Sequence, residues 1–252
     1  MWISPKEKKM SDRPNGRAFY KLLKKIKDRG KPIGLDEWEI FQKTMHEALG
    51  EAKRYKKYTR LGGKAVYTET VLSHTVNTVF LCDVMLGIED DRSGKDSLLN
   101  SELLRLAARI HDLPEGLVDD IDAMDKRRSD EAREDDAFGL IITGLPRGTQ
   151  KIYRKAYAIT QEWHDVGAQR NPKALKNISV DGRFFAALEI LGYLSRGFME
   201  VAAGNKTFAN IFYNWEGHLV ILQREFVSVR KLLEPLKKTI ERYQEENPYF
   251  KE

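Results

Sequence analysis

Four polar residues fall on helix faces that are otherwise apolar in the sequence. His74 and His111 each recur in helical register with apolar neighbours, and Asp112 follows His111 directly. Asp181 opens a further apolar helix. Burying such groups without partners costs on the order of 2 kcal/mol or more for each. A shared divalent metal ion would satisfy all four, so the sequence predicts a metal site formed by two histidines and two aspartates.

This donor set also limits the metal. Two neutral imidazoles and two carboxylates suit manganese, cobalt, iron or zinc, and they leave coordination positions open in a five- or six-fold geometry. We therefore expect one divalent transition metal ion as cofactor. Taken singly, each residue has a simpler interpretation, since a buried histidine is commonly a hydrogen-bonded packing residue and Asp181 suits a helix cap.

The elements that must position these residues are helices. Apolar residues recur with helical period through most of the chain, and no alternating strand pattern persists. Helices are predicted around residues 19–26, 38–49, 72–86, 101–110, 137–143, 153–163, 180–201 and 208–243. The predicted fold class is all-α, a helical bundle. Residues 1–52 form a helical N-terminal extension, and residues 53–252 form the main domain, which ends in a long C-terminal helix.

Composition narrows the class of protein further. With 41% hydrophobic and 32% charged residues, the chain is neither disordered nor fibrous, and its one cysteine, Cys82, excludes an intrachain disulfide. The apolar runs are too interrupted for a membrane span, and the N terminus lacks the features of a signal peptide, so we expect a cytoplasmic protein. The net charge of +5 is mild, and its clearest basic concentration runs from Lys53 to Lys64. That segment suits an anionic ligand.

The order of the four metal candidates resembles a known signature. His74, then His111-Asp112, then Asp181, on separate helices, is similar to the HD superfamily of metal-dependent phosphohydrolases. The local text most resembles the bacterial 5′-deoxynucleotidase branch, in the segments SHTVNTVF, RIHDLPEGLVDDI, SVDGRFFAALEILGYL, YTETVLSH and VAAGNKTF. The resemblance covers roughly residues 52–245 and leaves the first fifty without a counterpart.

The resemblance implies roles for further residues. Glu115 and Asp120 hold the positions of the acidic residues that follow the His-Asp pair in this branch, which makes them the catalytic candidates. Arg60, fourteen residues before the first metal histidine, and Lys64 are the candidates for binding a substrate phosphate. The segment between Asp181 and the Ala-Ala-Gly-Asn sequence is longer than the resemblance predicts, so Glu189 is the alternative fourth ligand.

The implied function is removal of phosphate from (deoxy)nucleoside 5′-monophosphates by a metal-activated water molecule. The implied fold is an HD-domain helical bundle, and the implied assembly is a homodimer. Two alternatives stay open. The chain could be an HD phosphohydrolase of nucleoside di- or triphosphates or of another phosphoester, or a non-catalytic regulator that binds nucleotides or nucleic acid. Intact Glu115 and Asp120 favour turnover, and we do not expect nucleic acid or membrane partners.

Overall fold

The structure, a computed structural model, describes residues 12–54, 65–93, 98–118, 128–169 and 171–246. Within these ranges the chain is helical and has no β-strand; one isolated antiparallel bridge pairs Lys53 with Thr70. The predicted all-α class is confirmed.

The helices follow one another with short connections. In chain order they are α1 (Pro14–Arg29), α2 (Leu35–Glu51), α3 (Val71–Ser93), α4 (Ser101–Ile110), α5 (Glu115–Val118), α6 (Arg128–Ile142), α7 (Arg147–Gln169), α8 (Val180–Ala202), α9 (Asn210–Asn214), α10 (Glu216–Glu225), α11 (Val227–Leu233) and α12 (Lys237–Glu246). Short 3-10 turns lie at Pro172–Asn177, Lys206–Ala209 and Glu234–Leu236.

Several predicted helix boundaries are wrong: α6 begins at Arg128 and not near residue 137, and α7 extends beyond residues 153–163 at both ends. Helix α3 does not end near Gly87 but continues through the polar segment to Ser93. The long helix predicted over residues 208–243 is divided into α9 to α12. At one break Phe226 adopts an extended conformation (φ −108°, ψ 122°), and its ring packs edge-on against Phe184 with centroids 5.4 Å apart. Pro235 lies at another break, where it has no backbone N–H to donate.

The chain divides into two compact units. The first contains the described residues 12–54, 68–76, 109–118 and 128–157, and the second contains the other described residues. Helices α1, α2, α5 and α6 therefore belong to one unit. The predicted division after residue 52 stays a prediction.

In the first unit, α1 packs against α2, α5 and α6. Phe19 of α1 is buried and meets the ring of Phe41 edge-on, with centroids 5.8 Å apart. A Cβ atom on Gly116 of α5 would lie only 3.1 Å from Cδ2 of Leu49. Glycine at this position therefore permits the close approach of α5 to the end of α2.

In the second unit, α8 carries most of the buried residues. Near its C-terminal end, the buried carboxylate of Glu200 accepts hydrogen bonds from the backbone N–H groups of Val66 (2.7 Å) and Tyr67 (3.0 Å). Arg196, one turn earlier on α8, donates a further bond of 2.8 Å to Glu200. Burial opposes ionisation of Glu200, but these bonds lower its pKa. The carboxylate thus fixes residues 66 and 67 on α8.

Helix α3 is unusually apolar. Among the described helices, its residues 71–91 form one stretch that is long and apolar enough to cross a membrane, by length and composition alone. The sequence-based expectation that every apolar run falls short is therefore wrong by this criterion. Core helices of soluble proteins have the same property. Glu89 of α3 is buried and accepts a 2.6 Å hydrogen bond from the N–H of Ser228, so this side of the helix faces protein.

His218 lies buried among aromatic rings of the second unit. Its side chain is 1% exposed, and its ring meets Trp163 and Trp215 at centroid distances of 6.2 and 5.2 Å. Neither ring nitrogen has a hydrogen-bond partner within the described part of the chain. Burial lowers the pKa of His218, because a charged imidazolium would lose its hydration there.

We predict that His218 makes the fold less stable in weak acid. The unfolded chain binds a proton at this residue below about pH 6.5, whereas the folded chain does so only at lower pH, and one pKa unit corresponds to about 1.4 kcal/mol. His218→Phe should therefore reduce the fall in the thermal unfolding midpoint between about pH 7.5 and pH 5.5. Replacing the exposed His46 with Gln is the matched control. An equally steep fall in His218→Phe and the parent would place the proton uptake elsewhere.

Candidate metal centre

Two backbone hydrogen bonds place the first part of the site at the start of α3. The N–H of Arg54 donates to the carbonyl of Glu69 at 2.9 Å, and the N–H of Val71 donates to the carbonyl of Ala52 at 2.8 Å. Arg54 and Glu69 consequently lie side by side. His74 follows in the first turn of α3, where its N–H donates to the carbonyl of Thr70.

A tight turn between α4 and α5 supplies the second part. The N–H of Leu113 donates to the carbonyl of Ile110, and the N–H of Glu115 donates to that of Asp112 at 3.0 Å. Pro114 cannot continue α4 in regular form, since it lacks an N–H group. The chain therefore turns directly after His111 and Asp112, and Glu115 begins α5.

The structure brings three of the four predicted ligands together. Nε2 of His111 lies 3.1 Å from Oδ2 of Asp112, and Nε2 of His74 lies 3.6 Å from the same oxygen. One ligand atom from each residue lies within 4.8 Å of the other two, and all three side chains are buried. The possible metal-binding group predicted around His74, His111 and Asp112 is confirmed as a cluster of buried donors.

A buried guanidinium stands among the carboxylates of this cluster. Nη1 of Arg54 forms an ion pair with Oδ2 of Asp112 and lies 3.6 Å from Oε2 of Glu115. Nε of Arg54 lies 3.9 Å from Oε2 of Glu69, which in turn lies 3.8 Å from Nδ1 of His74. Arg54 thus lies within 4 Å of three buried carboxylates.

The electrostatic environment favours a neutral His74 and an ionised Asp112. Burial and the charge of Arg54 hold the pKa of His74 well below its usual range, so its imidazole is neutral. Burial opposes ionisation of Asp112, but attraction to His111 and Arg54 outweighs it and holds the pKa well below its usual range. Neutral imidazole and ionised carboxylate are the forms that coordinate metal ions.

These residues fit a divalent ion. Imidazole nitrogen and carboxylate oxygen are the ligand types of zinc and of neighbouring first-row metals. At formal charges, Glu69, Asp112 and Glu115 carry three negative charges beside the positive charge of Arg54. A divalent cation would add positive charge next to these carboxylates. The ion would also bind Asp112, which pairs with Arg54. Part of the guanidinium would then be available to bind another anion.

Asp181 belongs to the second unit. It lies in the first turn of α8 and its Oδ1 accepts a 3.0 Å hydrogen bond from the N–H of Asn100, which precedes α4. Glu189, two turns further along α8, is 4% exposed. Neither is part of the His74, His111 and Asp112 group found among the described residues. Asp181 as fourth ligand, with Glu189 as its alternative, stays a prediction.

The other predicted site residues divide into two sets. Glu115 is buried beside Arg54, as given above. Asp120, Arg60 and Lys64 lie outside the residues that the structure describes. Their predicted roles in catalysis and phosphate binding stay predictions.

Three residues of the site were not singled out by the sequence. Arg54 was noted only within the basic run, and Glu69 only within a segment of the resemblance. Arg13 gave no signal at all, yet its guanidinium donates to the carbonyl of Ala48 (3.0 Å) and to that of Glu115 (2.6 Å). The N-terminal helices thus support the backbone of a candidate catalytic residue. Arg13, Arg54 and Glu69 are far from Glu115 in the sequence, and only the fold brings them close to it.

Comparison with known proteins assigns this chain to no family. No protein-family model matches this chain, and no curated protein matches it. The site must therefore be interpreted from its own geometry.

Metal content should separate the ligands from their neighbours. We predict that His74→Ala and His111→Ala each lose stoichiometric zinc or cobalt, measured by elemental analysis after loading and desalting, because each removes one donor of a small set. His46→Ala, which removes an exposed histidine from α2, should keep the parental content.

The fourth ligand requires its own pair of variants. We predict that Asp181→Ala also loses stoichiometric metal while Glu189→Ala retains it. The opposite pattern would show that Asp181 serves only to accept the Asn100 hydrogen bond and that Glu189 is the ligand. Circular dichroism of both variants checks that the helices are intact.

Proposed function

We propose that the chain is a metal-dependent phosphohydrolase that removes phosphate from (deoxy)nucleoside 5′-monophosphates. The observation that carries this proposal is the buried group of His74, His111 and Asp112, with an acidic residue and an arginine directly beside it. The order of these residues in the sequence and their resemblance to the HD phosphohydrolases supply the substrate class.

Each side chain has a distinct task in this reaction. His74, His111 and Asp112 would hold the metal. When bound, a divalent ion polarises a phosphoryl oxygen and lowers the pKa of water. Glu115 is buried beside Arg54 and does not belong to the group of three donors, which supports a role in proton transfer instead of metal binding.

Arg54 suits the phosphate. A guanidinium presents several N–H donors in a plane and binds phosphate oxygens in pairs, which a lysine cannot do. The partners of Arg54 given above are carboxylates. A metal ion bound to Asp112 would compete with Arg54 for that carboxylate, which is the nearest of the three. Arg54 thereby joins Arg60 and Lys64 as a candidate for phosphate binding, and it is the one of the three that lies in the described cluster.

The direct experiment measures phosphate release. The purified chain is stripped with a chelator and reloaded with individual metals. It is then given a panel of nucleoside mono-, di- and triphosphates and cyclic nucleotides. Release from 5′-monophosphates that depends on added metal supports the proposal. Release only from another nucleotide of the panel would reassign the substrate. No release with any metal would contradict the proposed phosphohydrolase activity.

Glu115 separates proton transfer from metal binding. We predict that Glu115→Gln keeps its metal and its helical content but loses roughly 10²-fold or more in turnover, because an amide cannot transfer the proton. Glu47→Gln, which changes an exposed glutamate of α2 in the same way, is the control. Parental turnover in Glu115→Gln would leave Glu115 as a carboxylate at the start of a helix and make Asp120 the candidate.

Arg54 and Arg60 can be distinguished by their effect on the Michaelis constant. Loss of a charge-assisted hydrogen bond costs about 1.5–3 kcal/mol, so Arg54→Ala should raise KM for a nucleoside monophosphate by roughly 10- to 100-fold with metal still bound. Arg60→Ala tests the sequence-based assignment in the same assay. If KM rises only in Arg60→Ala, Arg54 acts solely as a counter-charge to the buried carboxylates.

A further inference from the structure

His74 stands between two carboxylates. Its Nε2 atom lies 3.6 Å from Oδ2 of Asp112, and its Nδ1 atom lies 3.8 Å from Oε2 of Glu69. All three side chains are buried. The two ring nitrogens of His74 therefore face different acidic groups.

The nitrogen of His74 that faces the candidate ligand group is Nε2. Nε2 of His111 lies 3.1 Å from the same Oδ2 atom of Asp112, so this oxygen neighbours the Nε2 atoms of both histidines. Two atoms that each bind one ion at about 2.1 Å stand roughly 3–3.5 Å apart. The distances of 3.1 and 3.6 Å are close to that spacing, which makes Nε2 the atom of His74 suited to bind the ion.

A histidine that binds a metal through Nε2 must carry its proton on Nδ1. A neutral imidazole has one proton for its two nitrogens, and the nitrogen that binds the ion must offer its lone pair. Protein metal sites commonly fix this arrangement with a carboxylate that accepts a hydrogen bond from the other nitrogen. The carboxylate that faces Nδ1 of His74 is Glu69.

The backbone holds Glu69 in this place from both sides. On one side, the N–H of Arg54 donates to the carbonyl of Glu69 at 2.9 Å. On the other side, the N–H of Thr70 donates to Oγ of Ser73 at 3.0 Å, and the N–H of Ser73 donates to Oγ1 of Thr70 at 3.2 Å. This reciprocal pairing closes the start of α3 as a capping box does. The main chain thus fixes Glu69 five residues before His74.

We propose that Glu69 is a positioning residue of the metal centre, whose carboxylate accepts the Nδ1–H of His74 and thereby aims the Nε2 lone pair at the ion. The inference rests on the metal site of the proposed function and is independent of its substrate. Glu69 lies outside the group of three donors, so it acts on the histidine and not on the ion. Its 3.8 Å separation from Nδ1 is longer than the roughly 2.9 Å of a hydrogen bond, and such bonds often tighten only when the site is occupied.

Arg54 is the alternative partner of Glu69. Its Nε atom lies 3.9 Å from the same Oε2 atom, although Nη1 of Arg54 is also paired with Asp112. If Glu69 served only as a counter-charge to Arg54, its charge would matter and its ability to accept a hydrogen bond would not. Glutamine separates these roles, because its amide oxygen accepts a hydrogen bond but carries no charge.

Zinc affinity, measured by competition with a chromogenic chelator, tests the proposal. Glu69→Ala should still bind one zinc ion, with Kd raised roughly 10- to 100-fold, because the histidine loses the group that orients it. Glu69→Gln should recover most of this loss. Glu89→Ala, which removes another buried glutamate of α3, is the matched control and should bind zinc like the parent. Circular dichroism checks that each variant keeps its helices.

The Nδ1–H proton of His74 gives a second readout, which a defect of packing alone would not move. The chain has five histidines, so few such signals arise in the zinc-loaded, 15N-labelled protein. One signal should lie downfield and exchange slowly with water in the parent, lie less far downfield in Glu69→Gln, and disappear in Glu69→Ala. If Glu69→Ala does not fold, the signal in Glu69→Gln decides, and an unchanged position there overturns the proposal.

The other outcomes separate this inference from the proposed function. Parental zinc affinity in Glu69→Ala would overturn the role of Glu69 and leave the phosphohydrolase untouched. Equal losses in Glu69→Ala and Glu69→Gln would make Glu69 a counter-charge, and loss of stoichiometric zinc in both would make it a ligand; either result overturns the proposal. The expected zinc results in a chain that releases no phosphate would support the role of Glu69 and contradict the enzyme activity. A parent chain that binds no zinc would overturn both.

Discussion

The burial of three carboxylates around Arg54 is the constraint on which the candidate site depends. Glu69, Asp112 and Glu115 are buried together, and Arg54 neutralises one of their three formal charges. Buried carboxylates without a cation are costly, since they lose hydration that nothing replaces. A fold that keeps three of them around two histidines gains most from a divalent cation. A divalent ion bound at the candidate site would therefore contribute to stability as well as to chemistry.

This constraint explains why so many separate segments meet in the first unit. The bridge between Lys53 and Thr70 sets Arg54 beside Glu69, and the turn at Pro114 sets Asp112 beside Glu115. Arg13 then ties the end of α2 to the carbonyl of Glu115. Each connection is made by backbone groups or by a guanidinium, which have strong directional preferences. The N-terminal helices are in this sense part of the site's framework.

Sequence alone was informative where a local signal existed. Helical periodicity predicted α1, α2, α4 and α8, and the apolar context of His74 and His111 predicted their clustering with Asp112. It could not predict that Phe226 leaves a helix to pack on Phe184, because that gain comes from a residue 42 positions away. Arg54 was equally invisible, since a basic residue in a basic run is ordinarily solvated. Contacts between residues far apart in the sequence decide where Phe226 and Arg54 lie, and helical periodicity does not report such contacts.

Helix α3 has apolar residues on both its inward and its outward side. Its N-terminal turn carries His74, and its inward side carries Glu89 and residues of the core. Val76, Phe80 and Val84 stand about half exposed or more on its outward side. The helix therefore carries large apolar residues on two sides, whereas an ordinary surface helix is apolar on one. This explains why its length and composition would also suit a membrane span, although its inward side packs on protein.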